Sequence, residues 1–275
     1  LPGGRPVTDS AARVDLQAAW GVENLPSAIG RDTEAILQDL HDGKIEALLV
    51  GGVDPRDISA HHHDGLAKAF VVSLEIRHSA ITEIANVVLP VAAVVEKSGT
   101  FVNWEGRARS FETAIEDSLT RSDVRILSML ADQMGTPINL PTVTAAREEF
   151  NSLGNWESRS SFTPVPAASV SAPSDKALLS SWRLLLDAGS LQDGENNLAG
   201  NAHPSVAVIS AKRAQSLGVT NGDQIAIVTS HGSITLPCEI GEIEENSVWI
   251  PRNSAGSHTI ATLGIASGPV SVVRA

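Results

Sequence analysis

The sequence predicts an α/β domain built on a parallel sheet over residues 1–140, a connector over 141–176 and a small β-barrel over 177–275. Three observations carry that expectation. Apolar runs at Ile45 to Val50, Phe70 to Leu74 and Val87 to Leu89 alternate with helical patterns, as strands do in βαβ units. Between Thr136 and Lys176 the pattern collapses into scattered prolines, serines and threonines, the composition of a connector. Beyond it come short strands separated by glycine turns, the grammar of a small barrel. A length of 275 residues suits two domains of ordinary size.

In chain order, Leu1 to Gly30 is rich in glycine and proline and holds one helical stretch between Asp9 and Trp20. Asp32 stands as an N-cap. Ile36, Leu37 and Leu40 then form an apolar helical face that Gly43 ends. Ile45 to Val50 is nearly continuous in apolar residues, the pattern of a strand covered on both faces. It stops at the turn Gly51-Gly52-Val53-Asp54-Pro55. Leu66 to Ala69 reads as a short helix, and Ser79 caps another to Ala85. Pro90 closes the third strand, and Ala92 to Val95 is a short apolar turn.

From Gly99 onward polar residues take over. Asn103, Glu105, Arg107 and Arg109 are spaced by two, so an extended backbone would place them on one face. Ser122 to Met134 reads as a helix with Val124, Leu127, Leu130, Ala131 and Met134 inward and Gly135 as its stop. In the connector one helical turn is expected near Ala145 to Phe150. Leu178 to Leu186 fits helix or strand equally. The barrel strands are expected at Val206 to Ile209, Gln224 to Thr229, Ser233 to Ile240, Ser247 to Ile250 and Val270 to Val273, with a helix from Ala211 to Leu217.

Composition excludes several functions. Net charge is -12, from 20 basic and 32 acidic residues, which disfavours binding to nucleic acid or docking on anionic lipid. The longest apolar run, Ile84 to Val95, is interrupted by Asn86 and Pro90 and falls short of the roughly 20 residues of a membrane span. No signal peptide is visible. The chain opens on Leu-Pro-Gly-Gly without a Met, so it reads as a piece of something longer. Apolar residues make up 42%, but aromatics only 4% and Tyr is absent, so the cores must be built from Ala, Val, Leu and Ile. Cys238 is the single cysteine. That rules out an internal disulfide and an iron–sulfur cluster held by four thiolates of this chain.

Candidate sites are few. Gly51, Gly52 and Asp54 lie at the carboxyl end of an expected parallel strand, where α/β sheets bind ligands; a plain tight turn explains the glycines as well. Asn103, Glu105, Arg107 and Arg109 offer groups for a polar ligand, or for bonds within the protein. His61-His62-His63 has imidazole ligands but no acidic partner at a site spacing, and reads as a solvated loop. Cys238 reads as a buried small apolar residue, and His203 and His258 as isolated structural residues. No Ser-His-Asp or Cys-His grouping is visible, so no catalytic and no metal-binding residue is assigned.

Taken together, these runs resemble the molybdopterin oxidoreductase superfamily. The likeness rests on Leu1-Pro2-Gly3-Gly4, Trp20-Gly21, Leu48 through Pro55, Asn86-Val87-Val88-Leu89-Pro90, Glu96 through Asn103, and Leu217-Gly218-Val219-Thr220-Asn221-Gly222-Asp223-Gln224-Ile225. It covers the chain outside the connector. It implies a Rossmann-like α/β domain, truncated on its N-terminal side, and a double-psi β-barrel of the molybdopterin dinucleotide-binding kind. Within the superfamily the run Asn103-Trp104-Glu105-Gly106-Arg107 and the run Trp249 through Gly256 look closest to the large peripheral-arm subunit of bacterial NADH-quinone oxidoreductase, respiratory complex I.

That likeness implies a C-terminal, scaffolding part of an oxidoreductase subunit. Its iron–sulfur clusters would lie in N-terminal segments, and the chain itself would hold no cofactor. Its partners would be that cluster region and other peripheral-arm subunits, at the cytoplasmic face of the bacterial inner membrane without insertion into it. The alternative it implies is a molybdopterin-dependent enzyme such as formate dehydrogenase. There Gly51, Gly52, Asp54, Asn103, Glu105 and Arg107 would contact the pterin dinucleotide; in a complex I subunit the same residues would be vestigial.

Overall fold

Three parallel strands, β1 (Ala47–Gly51), β2 (Phe70–Glu75) and β3 (Val87–Pro90), form a sheet in the order β1-β2-β3. The computed structural model describes residues 1–54, 65–116, 119–157, 173 and 175–275. The chain divides into two units, one of residues 1–32, 47–52 and 70–165 and one of 33–46, 53–69 and 166–275.

The sheet belongs to the first unit. Its parallel arrangement agrees with the sequence, but its burial does not. The near-continuous apolar run of β1 implied a strand covered on both faces, yet Leu49 is 47% exposed. An edge strand has one lateral neighbour, and it is the central β2 that buries Val71, Ser73 and Leu74. Asn86 fastens β2 to the start of β3: its side-chain Oδ1 accepts from the Val71 N–H at 2.7 Å and its own N–H donates to Val71 O at 2.9 Å.

Helix caps follow the expected chemistry. Helix α1 (Ser10–Trp20) opens on Asp9, whose Oδ1 accepts from the backbone N–H groups of Ala11 and Ala12, and closes on Gly21 in the left-handed region. Between β2 and β3, helix α3 (Ala80–Ile84) carries a reciprocal capping box of Ser79 and Thr82. Arg5 is nearly fully buried. Its guanidinium donates to Asp15 at 2.7 Å and to the carbonyls of Pro2, Leu153 and Gly154, and lies 5.7 Å from the Trp156 ring centre. A paired, fully bonded guanidinium tolerates burial that a free one would not.

The remainder of this unit is a two-stranded antiparallel hairpin, β4 (Gly99–Val102) and β5 (Ala108–Phe111), and two helices, α4 (Asp123–Gln133) and α5 (Val143–Leu153). Helix α4 has the expected bounds but not the expected inner stripe. Leu127 and Met134 are exposed, and the buried residue is Ser128. Counting apolar residues located the helix but not the angle at which it meets its neighbours. Helix α5 runs three turns where one was expected. Thr142 caps it by accepting the Ala145 N–H at 3.1 Å, and Val143, Ala146 and Phe150 share one face.

The second unit holds helix α2 (Thr33–His41), with Leu40 buried, and a closed six-stranded barrel. The barrel strands are β6 (Ala177–Trp182), β7 (Ala207–Ile209), β8 (Gln224–Val228), β9 (Ser233–Ile240), β10 (Ser247–Pro251) and β13 (Gly268–Arg274). Around the barrel they run β10-β6-β13-β8-β9-β7. Two pairs, β6 with β10 and β7 with β9, are parallel, and the other four are antiparallel. The segment after Lys176 is therefore strand, which its sequence left open.

Short elements connect the barrel strands: α6 (Asn196–Ala199), α7 (Ala211–Leu217), β11 (Asn253–Ser254) paired with β12 (Ser257–His258), and α8 (Thr259–Leu263). Ser210 caps α7 and Gly218, at φ 64°, ends it. Alternate residues point inward, so Ile209, Ile225, Ile227, Val248, Ile250 and Val270 fill the interior with almost no solvent contact.

Candidate functional site

Asn103, Glu105 and Arg107 come together, but not as a ligand-facing strand. β4 ends at Val102, the chain turns through Asn103 to Arg107, and β5 begins at Ala108. The expectation that Asn103, Glu105, Arg107 and Arg109 share the face of one extended strand is therefore wrong. The turn breaks the period-two register, and Arg109 stands in β5 opposite Phe101. The cause is Gly106, which adopts φ 81°, a conformation costly for other residues, and lets the chain reverse.

The polar groups of this turn bond to one another. Asn103 Oδ1 accepts from the backbone N–H groups of Glu105 at 3.1 Å and Arg107 at 2.8 Å. Arg107 O accepts the Asn103 N–H at 3.1 Å, and Asn103 O the Gly106 N–H at 2.9 Å. Arg107 Nε lies 3.0 Å from Glu105 Oε2. All three side chains are solvent-exposed, and Trp104 at the tip is 93% exposed. An asparagine that satisfies its own turn in this way organises local backbone.

Gly51 and Gly52 lie where expected, at the carboxyl end of a parallel strand. A side chain on Gly51 would lie 3.1 Å from Leu74 O, and Gly52 adopts φ 65°. Both glycines thus have a backbone reason to be there. Asp54 follows, half-buried. The two glycines and the Asn103–Arg107 turn sit on different sheets.

The other candidates resolve individually. Cys238 is buried in β9, and its thiol donates to Thr220 O at 3.0 Å. His258 Nδ1 lies 2.7 Å from Asn253 Oδ1, a bond within the β11–β12 pair, and His203 is exposed. His61-His62-His63 lies outside the described residues. Among the described residues, no three His, Cys, Asp or Glu side chains cluster so as to hold a metal ion.

Shifted acidities belong to local turns. Backbone and side-chain donors of Thr220 hold the Asp223 carboxyl below its ordinary value. Lys44 does the same for Asp42, with help from Gln38, and Asp42 and Asp39 in turn raise Lys44.

Arg147, which the sequence placed in the connector, is the residue that sequence reasoning missed. Its guanidinium donates to Gly99 O at 2.6 Å, Phe111 O at 3.0 Å, Thr100 Oγ1 at 3.2 Å and Glu112 Oε1 at 3.0 Å. It ties helix α5 to both strands of the hairpin. The apolar spacing of Val143, Ala146 and Phe150 behind Thr142 was the available sign that a helix stood there.

These contacts bear on the pterin reading. A pterin dinucleotide needs donors and acceptors aimed outward, whereas the Asn103 Oδ1 and Glu105 carboxylate are engaged inside their own turn. Arg107 joins that turn through its Nε, and the rest of its guanidinium faces solvent.

Comparison with known proteins agrees with the sequence resemblance. The family model described as molybdopterin oxidoreductase matches residues 10–133. The G subunit of NADH-quinone oxidoreductase from Mycobacterium tuberculosis is 45% identical over 98% of this chain and 34% of its own length. Its namesake from Streptomyces coelicolor is 44% identical over 98% of this chain and 33% of its own. The chain thus spans about a third of the length of these curated relatives. Among solved structures, acetylene hydratase from Pelobacter acetylenicus superposes with a TM-score of 0.59 over 89% of this chain and 42% of that one, at 17% identity, a likeness of fold alone.

Proposed function

We propose, for a chain whose residues 10–133 are a molybdopterin oxidoreductase domain, that it is a C-terminal, structural portion of the G subunit of a respiratory NADH-quinone oxidoreductase. In this reading the chain shields and positions a cluster-bearing region elsewhere in the same polypeptide and docks on neighbouring peripheral-arm subunits. Electrons travel from NADH to quinone through groups outside it. It sits at the cytoplasmic face of the inner membrane, held there by its partners; among the described residues no helix is long and apolar enough to cross a membrane. The fold reading goes with it. The parallel sheet corresponds to a Rossmann-like domain, and the mixed barrel, with its two parallel pairs, to a double-psi barrel.

One observation carries the structural role: the side-chain oxygens of Asn103 and Glu105, candidates to grip a pterin, are engaged within their own turn. The second reading, a molybdopterin-dependent enzyme such as formate dehydrogenase, is favoured by the Gly51-Gly52 turn at the mouth of the parallel sheet. Elemental analysis of the full-length protein separates the two. The structural reading expects no molybdenum or tungsten and no retained pterin dinucleotide. Stoichiometric metal or pterin would overturn it.

A further inference from the structure

Asn221-Gly222 is the one Asn-Gly dipeptide of the chain, and it lies in the turn between α7 and β8. We propose that it is a latent deamidation site, held silent by strand β9 and released when the end of that strand lets go.

The chemistry is internal to the backbone. The Gly222 nitrogen attacks Cγ of the Asn221 amide, and a new C–N bond closes a succinimide. The Cγ–Nδ2 bond breaks, and ammonia leaves with the proton that the Gly222 nitrogen gave up. Water then opens the ring at either carbonyl, leaving aspartate or isoaspartate. A following glycine favours closure, because no side chain hinders the approach of its nitrogen. Both residues are solvent-exposed, so water reaches them.

The fold places both residues there for reasons of its own. Gly222 adopts φ 90°, a conformation costly for other residues. Asn221 Oδ1 accepts the N–H of Ile240, the last residue of β9, at 2.6 Å. The labile pair is thus a by-product of a turn that needs a glycine beside a side-chain acceptor.

The same bonds restrain the reaction. The Gly222 N–H donates to Cys238 O at 2.8 Å, which ties down the nucleophile, and the Ile240 N–H holds the amide it would attack. Asp223 O accepts the Cys238 N–H at 2.8 Å, and Thr220 O accepts the Cys238 thiol at 3.0 Å. The turn is therefore fastened to β9 on both sides of the dipeptide, and ring closure waits on a local opening that breaks the Gly222–Cys238 bond. The products differ in what they undo. Aspartate keeps an oxygen for the Ile240 N–H. Isoaspartate adds a methylene to the backbone between Thr220 and Gly222, which carries the Gly222 N–H out of register with Cys238 O.

Incubation of the full-length protein in mildly alkaline buffer, followed by peptide mapping for aspartate and isoaspartate at position 221, tests this. The folded protein should convert at least about tenfold more slowly than the same protein unfolded in urea. Ile240→Pro removes the donor on Asn221 Oδ1 and should speed conversion of the folded protein about fivefold, the factor that one hydrogen bond contributes. If Ile240→Pro fails to fold, as judged by circular dichroism, the comparison of folded with unfolded wild type decides. Equal rates in those two states overturn the proposal, as does an unfolded protein that stays unconverted. A folded Ile240→Pro protein that converts no faster than wild type also overturns it, since β9 would then not be the restraint.

Discussion

The barrel and the parallel sheet are both strand assemblies rich in Val, Ile and Leu, yet they use those residues differently. The barrel closes on itself, and its inward residues Ile209, Ile225, Ile227, Val248 and Ile250 are fully buried. The sheet has two edges, and within it Leu49, Phe70, Val87 and Val88 remain substantially exposed. Closure removes edges and leaves every strand one interior face, so period-two alternation translates directly into burial. An open sheet depends on whatever covers its faces, and its sequence records that requirement without saying what meets it.

The sharpest way to break this contrast is paired truncation. Ile227→Ala in the barrel should cost about 2–5 kcal/mol, and Leu49→Ala at the sheet edge about 1 kcal/mol or less, by chemical denaturation. Equal losses would mean that the edge strand is as well covered as the barrel interior. Next in size is Gly232→Ala, between β8 and β9, where a Cβ would run into the Thr262 carbonyl. Because the clash is with backbone, relief needs a shift of the turn, and a loss of about 1–3 kcal/mol is expected.

Outside the barrel the effects shrink. Asn103→Ala removes the acceptor for two backbone N–H groups of the hairpin turn and should cost about 1 kcal/mol, read as a lower melting temperature. Asp223→Asn sharpens the barrel side through pH. The folded-state pKa of Asp223 is depressed by Thr220, so its contribution is present above the unfolded value near 3.8 and is lost as pH falls through the folded value. The wild-type protein should therefore lose stability on acidification more steeply than the variant; identical acid limbs would remove Asp223 from the account. Smallest of all, Trp104→Ala at the exposed tip should change stability by no more than about 0.5 kcal/mol.

Much of the candidate site was half legible. Gly51 and Gly52 were placed correctly because a glycine pair after an apolar run is a local turn instruction. Asn103, Glu105 and Arg107 do come together, but not on a shared strand face, since a single glycine at position 106 reverses the chain inside an otherwise plausible extended run. Arg147 was hidden for a different reason. Its four acceptors come from residues 99, 100, 111 and 112, more than 30 positions earlier in the chain, and no local pattern announces them.

The sequence by itself determined most of the strands and helices, the cap at Ser79, the parallel sheet, the barrel and the likeness to molybdopterin oxidoreductases. These follow from propensities, periodicity and short motifs, which act over a few residues. Only the tertiary structure decided which strand is the covered one, which face of α4 is buried, that the polar run closes on itself, and that Arg147 ties a hairpin to a helix. Those features depend on which distant residues meet, and a one-dimensional pattern carries no term for the angle or the distance at which they do.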